Sequence, residues 1–210
     1  MGEQPRVNPT PATTAEQLLA WYDEPAVLGK LASEASRHMF QGTVLVRAAQ
    51  TFALDGAAVV VRSGDRIHCT SWPSPESLQD GDELHIEVSL GEQRCFADYL
   101  ISLRTCSAAR ITLLPGCRDA GGLHRLWLLA AARVALDAHV RVAAQFDRIG
   151  IRLAQVALAF GADALCGTIS PARTLPLAGV TRPDETSLPA LTTLITQAGL
   201  RPITQPEATA

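Results

Sequence analysis

The chain predicts an α/β fold: a reduced, open, incomplete-barrel-like β/α sheet with helices flanking it at both ends. Three observations predict it. Apolar residues make up 47% of the 210, which is enough to bury one core. Their spacing is helical at both ends of the chain and strand-like in the middle. The β-branched runs are divided by turn signals or by helical stretches. Aromatic residues are only 5%, so the core is aliphatic and rich in alanine.

Residues 1–12 are polar with three prolines and read as a disordered tail, which leaves 13–210 as one α/β domain. In its first part, 13–42, Thr13 and Glu16 stand in capping-box relation and predict a helix from Ala15 to Asp23. Asp23 can cap a second helix with Pro25 in its first turn; Val27, Leu31, Ala35 and Met39 are its predicted apolar face, and Gly42 its stop. In the second part, 43–120, the predicted strands are Thr43–Ala48, Ala57–Arg62, Arg66–Thr70, Leu84–Leu90 and Arg110–Leu114. Phe96, Leu100 and Leu103 mark a helix before the last of them. Asp55-Gly56 and Gly64-Asp65 suit hairpin turns, so this region reads as parallel β/α units or as a small meander. The third part, 121–203, predicts a buried helix Leu123–Asp137 and a strand Val140–Phe146. A helix Ile149–Phe160 follows, closed by Gly161 in a left-handed C-cap, with Leu153, Val156, Ala157 and Phe160 as core. The stretch from Gly161 to Thr168 reads as a loop. A last helix starts at Thr186 or Ser187, buries Leu191, Leu194, Ile195 and Ala198, and gives way to extended Arg201-Pro202-Ile203.

Several function classes are excluded at this level. A net charge of −3 and a pI near 5.9 oppose an electrostatic grip on nucleic acid or an anionic membrane. No apolar run approaches the roughly 18 residues of a spanning helix. Met1–Thr14 lacks an apolar segment, so no secretory signal is expected and the expected compartment is the cytoplasm. The five cysteines, Cys69, Cys95, Cys106, Cys117 and Cys166, are odd in number and widely spaced, unlike a disulfide framework. No CxxC, HxH or HExxH occurs, so no metal site is expected. Gly121-Gly122 and Ser63-Gly64-Asp65 are too short to be phosphate loops, and GxxxxGK[ST], GxGxxG and GxSxG are absent.

One block is recognisable. Leu153-Ala154-Gln155-Val156-Ala157-Leu158-Ala159-Phe160-Gly161-Ala162-Asp163 is followed in order by Leu165, Gly167-Thr168, Ala178-Gly179 and Leu194 to Pro202. This succession resembles the C-terminal end of the radical SAM enzymes of menaquinone and deazaflavin biosynthesis. That group comprises aminofutalosine synthase, dehypoxanthine futalosine cyclase and the deazaflavin synthase subunit, and the resemblance is nearest to the first. Arg133, Leu136-Asp137 and His139 resemble the segment before the block, and Ala15–Gln41 resembles the family's helical entry. The resemblance implies a β/α-barrel ancestry and a place in the futalosine pathway.

It does not carry the family's chemistry. The family's CxxxCxxC loop follows its first strand and seats a [4Fe–4S] cluster that binds S-adenosylmethionine. Here Ala48-Ala49-Gln50-Thr51-Phe52 follows the candidate first strand, and no cysteine precedes Cys69. Neither cluster nor S-adenosylmethionine is therefore expected as a cofactor. The family's polar positions are emptied too: Ala164 and Cys166 stand where it has acids, Pro171-Ala172 where it has two glutamates, and Pro176 where it has a histidine. A full barrel takes about 250 residues, and Gln41 to Gly121 leaves room for about three units of roughly 25–30 residues.

The resemblance retains Asp163, Gly167 and Thr168 as candidate substrate-binding residues and provides no catalytic one. Asp163 suits a substrate hydroxyl or the capping of the turn after Gly161; Gly167 and Thr168 suit close backbone approach to a ligand or a plain strand-start turn. His139, Arg141 and Asp147 read as a solvent-facing polar scatter. The expectation is an aminofutalosine-synthase-like protein without radical chemistry, partnered with itself or with a full-length radical SAM paralogue. The alternatives are a pathway enzyme with different chemistry and a small-ligand binding module. Unpaired edges at Val44–Val46 or Ala57–Val61, or the Leu123–Val134 helix, are the expected partner surfaces.

Overall fold

The computed structural model describes residues 13–49, 56–170 and 186–204. The elements in chain order are α1 (Ala15–Ala20), α2 (Pro25–Phe40), β1 (Thr43–Ala48), β2 (Ala58–Arg62), β3 (Asp65–Cys69), β4 (Glu83–Glu87), α3 (Gln93–Cys106), β5 (Ile111–Gly116) and α4 (Gly122–Ala135). They continue with β6 (Val140–Gln145), α5 (Phe146–Ile149), α6 (Ile151–Ala159), β7 (Ala164–Gly167), α7 (Leu188–Gln197) and β8 (Arg201–Thr204). The strands form one open sheet in the order β3-β2-β4-β5-β6-β7-β1-β8. From β4 to β8 every pairing is parallel, and β2 and β3 add an antiparallel hairpin at one side. The middle of the chain is thus both things its sequence suggests, a hairpin followed by β/α units. The hairpin turns on Ser63 and Gly64, both at positive φ, as the right-handed strand twist requires.

Alternation along the strands divides the sheet into two faces. Val44, Val46, Leu84, Ile86, Leu113, Val142 and Leu165 join the helices in the main core. Leu114, Ala143, Ala164 and Cys166 form a second cluster with Leu45 and Ala49 on the opposite face. That face is concave. Arg47 on β1 and Glu83 on β4 are four strands apart, about 19 Å in a flat sheet. Yet Arg47 Nη2 lies 2.5 Å from Glu83 Oε1. Side chains stand nearly perpendicular to a sheet, so the pair closes only because the sheet curls like part of a barrel wall.

One ion pair joins the helix layer to the sheet. Arg133 on α4 is fully buried. It donates to Asp163 Oδ2 at 2.9 Å, to the Val140 carbonyl at 3.0 Å, and to the carbonyls of Leu136 at 2.5 Å and Asp137 at 3.0 Å. Asp163, also fully buried, accepts in addition from Val142 N–H and from Arg141. Its own carbonyl accepts from Leu45 N–H on β1. Burial pushes the Asp163 carboxyl upward, and Arg133 with the Val142 N–H opposes that shift.

The structure corrects several boundaries. The capping box is Thr14 with Gln17, one residue later than Thr13 with Glu16: the Thr14 hydroxyl accepts from Gln17 N–H and the Gln17 side chain accepts from Thr14 N–H. Thr13 is buried instead, its carbonyl accepting from Arg104. Glu24, not Asp23, precedes α2 and makes no side-chain cap, because Pro25 already presets the first turn. The buried stripe of α2 is Leu28, Gly29 and Ala32, and Val27 is exposed. Val156 on α6 is likewise exposed; Ala154, Ala157 and Leu158 are its core residues, and Phe160 is half-buried. Residues 164–167, expected as loop, are the strand β7, fully buried between β6 and β1. The strands expected to be edges are interior: β1 lies between β7 and β8, and β2 between β3 and β4. The outer strands are β3, and β8 with Pro202. The α4 helix offers little partner surface, since Leu126 to Leu136 are all buried in the chain's own core. The tail 1–12 and the Asp55-Gly56 turn's first residue lie outside the described residues.

Two stability effects follow. Asp163→Ala leaves the Arg133 guanidinium buried without its carboxylate, and should cost about 3–5 kcal/mol, read as a lowered urea midpoint at unchanged m-value. Gly161 has φ +85°, and a Cβ there would sit 2.7 Å from the Ala32 carbonyl oxygen. Gly161→Val should therefore destabilise by at least about 2 kcal/mol in thermal melts, whereas Phe160→Ala, at a half-buried side chain, should cost less than the roughly 3 kcal/mol of a fully buried one.

Candidate functional site

In parallel β/α sheets ligands bind at the carboxyl ends of the strands. Here that rim is formed by the ends of β4, β5, β6 and β7, and its side chains come from the last residue of each strand or from the turn after it. Glu87 ends β4. Its Oε2 accepts from Arg148 Nη2 at 2.5 Å and its Oε1 from the Arg118 backbone N–H at 2.5 Å. The Arg118 guanidinium is 3.9 Å away. Gly116 ends β5 and makes the first contact possible: a Cβ there would lie 2.9 Å from Arg148 Nη1. Arg125, in the first turn of α4, donates to the Cys117 and Arg118 carbonyls and so fixes the loop after β5. Gln145 ends β6, and its side-chain oxygen is buried without a hydrogen-bond partner among the described residues. Gln145, Arg125, Arg148 and Gly116 line one crevice of about 10 Å³, room for about a single water.

Beside this rim the concave face carries a polar row. Parallel register places Arg47, Cys166 and Gln145 side by side across β1, β7 and β6. Arg47 reaches Glu83, and His85 lies 3.7 Å from the other Glu83 oxygen. Burial pushes the Cys166 thiol up to about 12, with Glu83 adding to the shift and Arg47 opposing it. At neutral pH Cys166 is a neutral thiol and not a nucleophile. A separate groove of about 450 Å³ between α6 and α7 is lined by Ile151, Gln155, Ala190 and Leu194. It belongs to the outer helix layer and gathers no cluster of charged groups.

The structure does not bring the three sequence-derived candidates together. Asp163 precedes β7 and Gly167-Thr168 end it, so about 13 Å of strand separates them. Asp163 lies at the amino-terminal end of the sheet, buried under Arg133 and Arg141; its carboxylate takes one backbone N–H, from Val142 across in β6, and does not cap the turn after Gly161. Gly167 is a packing residue, because a Cβ there would meet the buried Phe146 ring at 2.5 Å. Thr168 donates both its N–H and its hydroxyl to Asp147. Asp147, expected in solvent, is exposed there and accepts from Thr168, whereas Arg141 is half-buried against Asp163 and His139 is half-buried with its Nε2 shielded. Sequence reasoning missed Glu87, Arg118, Arg125, Gln145 and Arg148. They are scattered over the chain, and their only shared signal is a position at or just after a strand end.

The described residues contain no group of three or more His, Cys, Asp or Glu able to hold a metal ion, and no helix among them is long and apolar enough to cross a membrane. All five cysteines are free, with Cys95 and Cys106 exposed on α3 and Cys117 and Cys166 buried. Iodoacetamide near pH 8 should modify Cys95 and Cys106 first and leave Cys166 untouched until the protein unfolds. Peptide mass spectrometry with and without denaturant checks this. No protein-family model matches the chain and no curated protein matches it.

Proposed function

We propose that this chain is an aminofutalosine-synthase-like protein of menaquinone biosynthesis, derived from a radical SAM barrel, that acts in the cytoplasm as a non-catalytic partner of itself or of a full-length paralogue. The observation that carries the reading is the pairing of β7 with β1. The Gly-Ala-Asp-x-Leu-x-Gly-Thr segment, which resembles the late part of the family barrel, forms a strand directly beside the first strand. A closed barrel also sets its first strand beside a late one; here β8 takes the other side of β1, so the sheet stays open. Two features favour the loss of radical chemistry. The segment after β1 has no cysteine before Cys69, and the emptied family positions Ala164 and Cys166 are now packing residues of the concave face. Partner contact falls to the outer strands β3 and β8, because α4 is covered within the chain.

The second reading, small-ligand binding, is favoured by one observation: arginines and an unpartnered amide oxygen converge at the strand ends. Anaerobic reconstitution with iron and sulfide, followed by size exclusion with light scattering in the presence and absence of the paralogue, separates the two. The partner reading expects no iron–sulfur absorbance, no cleavage of S-adenosylmethionine, and a species heavier than the 22.3 kDa monomer. Stoichiometric cluster iron would overturn it. A clean monomer indifferent to the paralogue leaves ligand binding as the better account.

A further inference from the structure

We propose that the rim formed by Glu87, Arg118, Arg125, Gln145 and Arg148 is a binding site for small-molecule carboxylates, and that Glu87 occupies it from within as a stand-in for the ligand. This is independent of the chain's ancestry and of the partner reading.

The site is built as a carboxylate receptor. Both oxygens of the Glu87 carboxylate are held: one by the Arg118 backbone N–H in the loop after β5, the other by the Arg148 guanidinium of α5, after β6. Charge-assisted contacts of this kind are the strong ones. Three arginines converge here, and Arg148 and Glu87 are both mostly shielded from solvent. The α4 helix begins at the same place. It is 14 residues long, its Ncap is Gly121, and no side chain caps it, so its first N–H groups and the positive end of its dipole face the rim. Among the described residues the space beside Gly121 is open: a Cβ built there meets nothing within 4 Å.

An independent observation points to a ligand. Gln145 is 6% exposed, lines the same crevice as Arg125 and Arg148, and its side-chain oxygen has no partner among the described residues. A buried amide oxygen left unsatisfied is costly; amide rotation would offer an N–H instead, as an incoming carboxylate needs. The size of the crevice fixes the mode of binding. About 10 Å³ admits no second carboxylate beside the first. A ligand must displace the Glu87 side chain and take over Arg148 and the Arg118 N–H. Binding is therefore competitive with Glu87, and the ligand's body extends from the rim toward the open space by Gly121.

The test is titration with acetate and succinate against chloride at constant ionic strength. The backbone amide signal of Arg118 in ¹⁵N NMR reports occupancy, and thermal melting reports stabilisation. Glu87→Gln removes the internal carboxylate and keeps an acceptor for the Arg118 N–H. In E87Q the half-saturating succinate concentration should fall at least tenfold, and Arg148→Met in that background should abolish saturation. Should E87Q fold poorly, Glu87→Asp, whose shorter carboxylate is withdrawn from Arg148, should bind succinate more tightly than the parent protein. Equal titration curves for the parent and both Glu87 variants would overturn the proposal, as would chloride reproducing the effect of succinate.

Discussion

The fold depends on a charge pair that has no access to water. Arg133 and Asp163 lie at the junction of α4, the start of β6, and the entry to β7. Burying two charges is expensive, and their attraction offsets the cost only where other hydrogen bonds are also satisfied. Here the guanidinium also serves the Leu136 and Asp137 carbonyls at the end of α4, and the carboxylate accepts the Val142 N–H. The Phe40 ring at the end of α2 lies 5.1 Å from the Arg133 guanidinium and 4.6 Å from that of Arg141. Removing Asp163 would leave the Arg133 guanidinium without its carboxylate, and removing Arg133 would leave Asp163 only the longer contact to Arg141, so the pair fixes how the helix layer sits on the sheet. It also gives Asp163 a structural role without any contact to substrate.

With the helix layer fixed on one face, the curl of the sheet decides the other. Arg47 and Glu83 meet across the concavity only because β1 and β4 are rolled toward each other. Small residues on that face, Ala143 and Ala164, leave room for the roll. The same curl gathers the ends of β4, β5 and β6, so that Glu87, Gly116 and Gln145 become neighbours of Arg148. Gly116 admits the arginine and Gly167 admits the Phe146 ring, two places where packing of a large side chain demands the absence of a Cβ.

Much of the fold was legible in the sequence. The span of β1 was predicted to the residue, and β2, β4, β5 and β6 to within a few, because each is a short β-branched run bounded by turn signals. The Gly161 helix stop was legible because a positive φ favours glycine. The strand β7 was not: four residues between glycines carry too little pattern to separate strand from loop. The face of α2 was misread by one position, since close approach to α4 and α6 selects the small residues Gly29 and Ala32 over the larger Val27.

The sequence by itself determined the α/β class, the order of most elements, and the absence of a cysteine loop after the first strand, because these depend on local pattern and residue identity. Only the tertiary structure decided the sheet order, which strands are edges, and that Asp163 is a buried structural partner while Glu87, Arg118, Arg125, Gln145 and Arg148 share a rim. The reason is physical. Strand pairing and the convergence of strand ends are contacts between residues far apart in the chain, and nothing in local hydrophobic period or turn chemistry specifies them.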